Sequence, residues 1–329
     1  MRSLRFLVLT ALLIAIASTS HAQGIVRCAA CGQVILDDHL QVGSQYFHYE
    51  HFRCEYCKQA IPGTYVPAGG KFYHSECYQK QFVVVCVVCN KVILEDYRED
   101  FWGNPAHLSH DDDTPSCDFC ERFIVGGLTA QSVELRDGRR LCGVCAATSV
   151  TTLAQARDLV AMVASSLGEH GIRVSVDGIP ILLLGADRMG KLSTDFAHPL
   201  VGFTDYASTR AADDTTTIAS YNIALLNGMP ELQMASTIAH ELMHVWLFRH
   251  GATRDDPPWT EGSCNYASYL ILQDTSTRES AFLLNQLEVD TDSTYGEGFR
   301  RVKKYVDENG VDAWLEALAS RRNGAAVGR

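Results

Sequence analysis

The strongest helical periodicity lies between Pro230 and His250, where Leu232, Ile238, Leu242, Val245 and Leu247 recur at helical intervals. That spacing predicts one amphipathic helix, with Pro230 and Glu231 suited to its first turn and Gly251 to its stop. A second helix is expected to follow, with Asp256 as its cap and Pro257 in its first turn. Upstream, residues 215–226 read as a strand, because Ala219, Tyr221, Ile223 and Leu225 alternate with Ser220, Asn222 and Ala224. As a sheet edge beside the helix, this strand would pair with an extended peptide through its backbone. The apolar run at 178–186 has strand length and belongs to a core. Residues 295–319 predict two short helices broken at Asn309-Gly310, with Arg300, Arg301, Lys303 and Lys304 on a solvated face.

A different apolar run opens the chain. Arg2 and Arg5 precede twelve mostly apolar residues at 6–17, and Ser20-His21-Ala22 follows. This pattern predicts a signal peptide at 1–22, cleaved after Ala22; the apolar run is too short to span a bilayer comfortably. Gln23 stands where a lipoprotein would need cysteine. The mature chain is therefore expected to be secreted or periplasmic, with no membrane association after cleavage.

The chain as a whole has 47% hydrophobic and 20% charged residues, an ordinary globular composition. A formal net charge of -11 argues against a nucleic-acid partner, which needs clustered Lys and Arg. Cysteine is distributed unevenly. Of twelve in the chain, only Cys264 lies beyond residue 145, so a boundary is expected near residues 146–152.

The cysteine-rich part is an internal duplication, since CAACGQVILDD at 28–38 is echoed by CVVCNKVILED at 86–96. Each copy carries two consecutive sets of four donors. The first has Cys28, Cys31, His48 and His51, then Cys54, Cys57, His74 and Cys77. The second has Cys86, Cys89, His107 and His110, then Cys117, Cys120, Cys142 and Cys145. Two donors three positions apart form half of a tetrahedral zinc site, and a short hairpin brings the second half to it. Four structural zinc ions are expected. Disulfides are the alternative for an exported chain, but eleven is an odd number, and histidine stands where the repeat requires a partner. The spacing resembles a LIM domain followed by a LIM-like unit, although both depart from the common pattern in having histidine at 51, 107 and 110.

The residues that carry reaction chemistry lie on the long helix. HELMH at 240–244 places His240 and His244 four apart, on one side of a helix, where both can bind a single zinc ion. Glu241 projects beside that ion as the general base. Glu261, separated from His244 by sixteen residues and in the first turns of the next helix, is the expected third ligand. Asn265 is a candidate to orient an imidazole. Tyr266, Tyr269, His250, Tyr295 and Arg300 are the candidates for stabilising an oxyanion, and the sequence does not choose among them. Cys264 reads as a small buried residue.

The run LLNGMPELQMASTIAHELMHVWLFRHG, followed by WTEGSCNYASYLIL, resembles the peptidase domain of the DA1 family, which likewise follows LIM and LIM-like modules. The resemblance implies an α+β fold in which zinc-stabilised LIM-type hairpin modules precede a zincin-like peptidase domain. It also implies a peptidase with His240, His244 and Glu261 as ligands and Glu241 as base. Plant members carry ubiquitin-interacting segments where this chain has the apolar run, so their ubiquitin-dependent regulation and intracellular substrates do not transfer. The expected organisation is a signal peptide at 1–22, a LIM domain at 23–83, a LIM-like domain at 84–148 and a peptidase domain at 149–329. One catalytic and about four structural zinc ions are expected, with a protein or peptide as substrate and a protein partner on the LIM modules. The competing function is a LIM-type adaptor with an inactive, metal-bearing peptidase-like domain. Glu241 discriminates between them, because only an enzyme needs that base.

Overall fold

Short hairpins stapled at their ends, rather than one continuous core, organise the first half of the chain. The computed structural model describes residues 26–110, 114–129, 131–192, 200–210, 217–251 and 256–320; the expected signal peptide at 1–22 lies outside them. Two compact units divide between Thr114 and Pro115. In the first, strand β1 (Leu40–Val42) pairs with β2 (Gln45–Phe47), and β3 (Val66–Ala68) with β4 (Lys71–Tyr73), which leads into helix α1 (Ser75–Phe82). A third hairpin joins β5 (Tyr97–Glu99) to β6 (Pro105–His107), and all three are antiparallel. Phe47, Phe52, Tyr65 and Phe72 cluster with ring centroids 4.9 to 5.9 Å apart. This small aromatic core seals the hairpins of the first two modules together.

The second unit begins with one more hairpin, β7 (Val133–Glu134) and β8 (Arg140–Leu141), followed by the short helix α2 (Gly143–Ala147). Then come α3 (Leu153–Glu169), β9 (Ile181–Leu184), α4 (Ala186–Met189), β10 (Gly202–Arg210) and β11 (Thr217–Leu226). Five helices complete it: α5 (Glu231–Arg249), α6 (Pro257–Gln273), α7 (Arg278–Val289), α8 (Gly296–Asn309) and α9 (Val311–Ser320). Local chemistry starts and stops these helices where expected. Asp256 accepts a hydrogen bond from the Trp259 amide at 3.2 Å, with Pro257 following it, and Gly310 at φ 88° ends α8. A capping box between Thr152 and Gln155 opens α3.

The sheet order is β10-β11-β9, with β10 antiparallel and β9 parallel to β11. Residues 217–226 form a strand as predicted, while 215 and 216 lie outside the described residues; the assignment as a sheet edge is corrected for the end of the strand from Ile223 onward. Ile223–Leu226 pair on one side with β9 and at Ile223–Leu225 also with β10, because this run is apolar at every position and is buried throughout. Among the described residues the edge strands of the sheet are β10 and β9, and the part of β11 before Ile223 is flanked by β10 alone.

Two glycines set the spacing of the helices. A Cβ at Gly262 on α6 would stand 2.2 Å from the Gly298 carbonyl carbon, and one at Gly298 on α8 would stand 2.1 Å from the Pro258 oxygen. The two backbones therefore touch, an approach only glycine allows. Near the start of the unit, the last hairpin is fastened to the turn that launches α5. Arg139 pairs with Asp137 through Nε at 3.1 Å and Nη2 at 2.8 Å, and Nη2 also donates to the Asn227 carbonyl at 2.7 Å. Asp137 accepts from the Ala186 amide at 3.0 Å, while Val150 and Glu231 donate to Met229 and Thr148 at 2.8 and 2.9 Å. The change in cysteine content near 146–152 thus does not coincide with the division between compact units, because this last hairpin belongs to the second.

Arg300, Arg301 and Lys304 are exposed, as expected of a solvated face, with Lys303 half-buried, and the two arginines also find partners. Arg300 donates to the carbonyls of Glu288 and Asp290 at 3.1 and 2.6 Å, and Arg301 pairs with Asp256 at 3.0 Å.

Candidate active site and metal centres

The first Cys-x-x-Cys pair of each of the four ligand sets lies on the same backbone device. The residue after the second cysteine is left-handed in all four, with φ of 74° at Gly32, 61° at Lys58, 56° at Asn90 and 58° at Glu121. Its amide donates to the carbonyl of the first cysteine at 2.8 to 2.9 Å. The turn directs backbone amides at the first sulfur, which acts on its protonation. Burial pushes the Cys28 thiol up, but the amides of His48 and Cys31 outweigh it and bring it down to about 6; Cys54 and Cys86 are likewise lowered to about 6. These sulfurs are prepared as thiolates, the form that binds metal.

All sixteen predicted structural ligands assemble in their predicted sets, each with ligand atoms within 4.8 Å of one another. Cys31 Sγ lies 3.6 Å from His48 Nδ1, Cys57 Sγ 3.4 Å from His74 Nδ1, Cys89 Sγ 3.6 Å from His107 Nδ1, and Cys120 Sγ 3.6 Å from Cys142 Sγ. Ligands tetrahedrally arranged at zinc distances stand about 3.3 to 3.8 Å apart, so the donors fit the ion. His74 and His107 each aim Nε2 at a carbonyl, of Ala60 at 3.1 Å and of Val92 at 3.3 Å. A carbonyl only accepts, so Nε2 carries the proton and Nδ1 is left free to ligate.

The fifth cluster is built where α5 crosses α6. His240 and His244 face one another across a helical turn with Nε2 atoms 3.2 Å apart, and Glu261 Oε2 lies 3.3 Å from each. These three edges form a nearly equilateral triangle of the size an ion about 2 Å from each atom requires. Charge fits as well as size. Burial pushes the Glu261 carboxyl up, but the two imidazoles hold it well below the usual carboxylate range; burial lowers His240, but Glu261 raises it overall. The triangle is a buried trap for positive charge. Asn265 donates Nδ2 to the Tyr295 carbonyl at 3.2 Å, which orients its Oδ1 toward His240 Nδ1 at 2.9 Å. His240 must therefore donate from Nδ1, leaving the Nε2 lone pair for a metal.

The structure also sorts the oxyanion candidates. Tyr266 packs against Tyr269 and Trp314, Tyr269 accepts from Gln273, and His250 donates to the Trp246 carbonyl at 2.7 Å while stacking on that indole. Arg300 is held by carbonyls, as described. Only Tyr295 among the five stacks on a ligand, with its ring 6.4 Å from that of His240. Burial, reinforced by Glu261, holds its hydroxyl well above the usual phenol range, so it stays a donor.

Two neighbours were missed in the sequence. Cys264 is buried as expected, yet its sulfur joins the cluster of His240, His244 and Glu261, within 4.8 Å of their ligand atoms. Its i+3 spacing from Glu261 is the signal that would have found it. On β10, Thr204 Oγ1 donates to Glu241 Oε2 at 2.6 Å, a long-range contact with no local sequence signature.

The first two ligand sets and the cluster on α5 and α6 fall within segments that match known proteins. A LIM domain model matches residues 28–82, and the model described as Protein DA1 matches residues 200–281. Protein DA1-related 1 of Arabidopsis thaliana is 26% identical over 74% of this chain and 55% of its own length. Protein DA1 of the same plant is also 26% identical, over 74% and 57%. LIM domain-containing protein HDR3 of Oryza sativa subsp. japonica is 24% identical over 71% and 60%. The chain thus spans little more than half the length of these relatives. With a LIM domain match at 28–82 and a DA1-like match at 200–281, the chain is similar to the DA1 proteins in both parts.

Proposed function

We propose that this chain is a zinc-dependent peptidase, a reading supported above all by the triangle of His240, His244 and Glu261 with the buried carboxylate of Glu241 next to it. His240, His244 and Glu261 would hold a zinc ion, which would supply Lewis acidity and lower the pKa of a water there toward neutrality. Glu241 takes the proton from the attacking water and delivers it to the leaving amine. The Tyr295 hydroxyl donates to the carbonyl oxygen as negative charge develops on it. The open edge of β10, which runs past Glu241, pairs with the substrate backbone and aligns the scissile bond.

The modules at 28–77 and 86–145 fit zinc-stabilised protein-binding surfaces, and a protein partner there is part of the proposal. Export rests on residues 1–22 alone; mass measurement of the mature N-terminus, expected at Gln23, tests it. No helix among the described residues is long and apolar enough to cross a membrane. For the activity, purified protein should cleave an unfolded substrate such as fluorescein-labelled casein. Glu241→Gln should abolish cleavage while zinc content is unchanged; equal activity in that variant would reject Glu241 as the base, and no cleavage by the natural protein would favour the adaptor.

A further inference from the structure

We propose that Thr204 is a positioning residue for the base, and that β10 serves as the cradle that fixes the Glu241 carboxylate. This deepens the peptidase reading and rests on Glu241 being its base. Residues 202, 204 and 206 of β10 alternate onto the face that packs on α5. Gly202 and Thr204 are buried there, Tyr206 stacks on Phe248 of α5 at 4.5 Å, and Asp205 and Ala207 are exposed. On this face the carboxylate is held at both oxygens. Thr204 Oγ1 donates to Oε2 at 2.6 Å and also lies 3.2 Å from the Glu241 carbonyl. Oε1 rests on Gly202, where a Cβ would stand 2.5 Å from it and 2.6 Å from Thr237 Cγ2.

The arrangement has a chemical consequence. A glutamate side chain has three rotatable bonds, and a base must stay within hydrogen-bond reach of the proton it removes. With Oε2 occupied by a hydroxyl proton, Oε1 remains the basic oxygen. The position of that oxygen is set by strand backbone rather than by a rotamer. The same edge strand that would pair with substrate therefore also registers the base against it, so peptide alignment and proton transfer share one rigid element.

The test compares Thr204→Val, Thr204→Ser and Glu241→Gln with the natural chain, all zinc-loaded, with zinc content and folding checked. Two readouts are taken: kcat and KM on fluorescein-labelled casein, and calorimetric affinity for acetohydroxamate, which chelates an open metal position and presents a hydroxyl to the adjacent carboxylate. Thr204→Val should lower kcat by roughly tenfold or more at similar KM, the scale of a hydrogen bond to a charged group, and weaken acetohydroxamate comparably. Thr204→Ser, which keeps the hydroxyl, should restore both to within about threefold. The proposal is overturned if Thr204→Val matches the natural chain, or if Thr204→Ser is as impaired as Thr204→Val, since a packing role alone predicts the latter. A chain that fails to cleave casein but shows the Thr204-dependent acetohydroxamate pattern keeps the cradle and rejects the peptidase reading. A chain that binds no acetohydroxamate has no open metal position, which overturns both.

Discussion

Replacing Asp137 by Asn should destabilise the second unit by an amount that the structure specifies. The Arg139 guanidinium beside Asp137 holds its carboxyl at about 2, against an ordinary 3.8, with the Ala186 amide assisting; both side chains are close to 15% exposed or less. That difference corresponds to about 2.5 kcal/mol favouring the folded state once the carboxylate is ionised. Because the folded value is depressed, the contribution is complete above about pH 4 and is lost as pH falls from there through about 2. The difference between the two proteins should therefore be constant from pH 5 to pH 8. For a unit of this size, about 2.5 kcal/mol lowers Tm by roughly 5 to 10 °C. Thermal unfolding followed by circular dichroism on zinc-replete protein at several pH values measures it. Arg139→Ala should cost at least as much, since it also abandons the Asn227 carbonyl just before α5. A loss below about 0.5 kcal/mol for Asp137→Asn, typical of an exposed pair, would refute the claim that this hairpin is anchored to the rest of the second unit.

Other outcomes follow from the same geometry. Asn265→Ala removes the acceptor for His240 Nδ1 and should weaken zinc at the fifth cluster by roughly 10- to 100-fold in chelator competition, leaving the thiolate sites unchanged. Gly262→Ala places a Cβ against the Gly298 backbone and should cost about 3 kcal/mol or more in urea unfolding, because neither backbone can yield. Tyr295→Phe should lower kcat by roughly 100-fold on labelled casein while zinc content and KM hold, if its hydroxyl serves the oxyanion.

The parts of the molecule that were legible in the sequence are those encoded by local spacing. His240, His244 and the sixteen cysteine and histidine ligands sit at intervals fixed by a helical turn or a zinc knuckle, and Asp256, Pro257 and Gly310 mark helix ends through their own backbone chemistry. Asn265 was legible for the same reason, lying one turn beyond Glu261. Strand neighbours were not. The alternation at 219–225 identifies a strand but carries no information about which strands flank it, so β11 read as an edge until β9 was seen paired to Ile223–Leu226. Thr204 meets Glu241 across 37 positions of sequence, and GFTDYASTR at 202–210 offers only weak alternation to announce β10. The left-handed turns at Lys58, Asn90 and Glu121 were equally hidden, because only the first knuckle uses glycine at that place. Asparagine tolerates that conformation, but lysine and glutamate carry no local signal for it.

Anomalous scattering at the zinc edge from crystals of the full chain tests the central claim most directly. The account predicts a peak about 2 Å from His240 Nε2, His244 Nε2 and Glu261 Oε2, with solvent as the fourth neighbour. No peak there, or a peak whose fourth neighbour is the Cys264 sulfur, would contradict it.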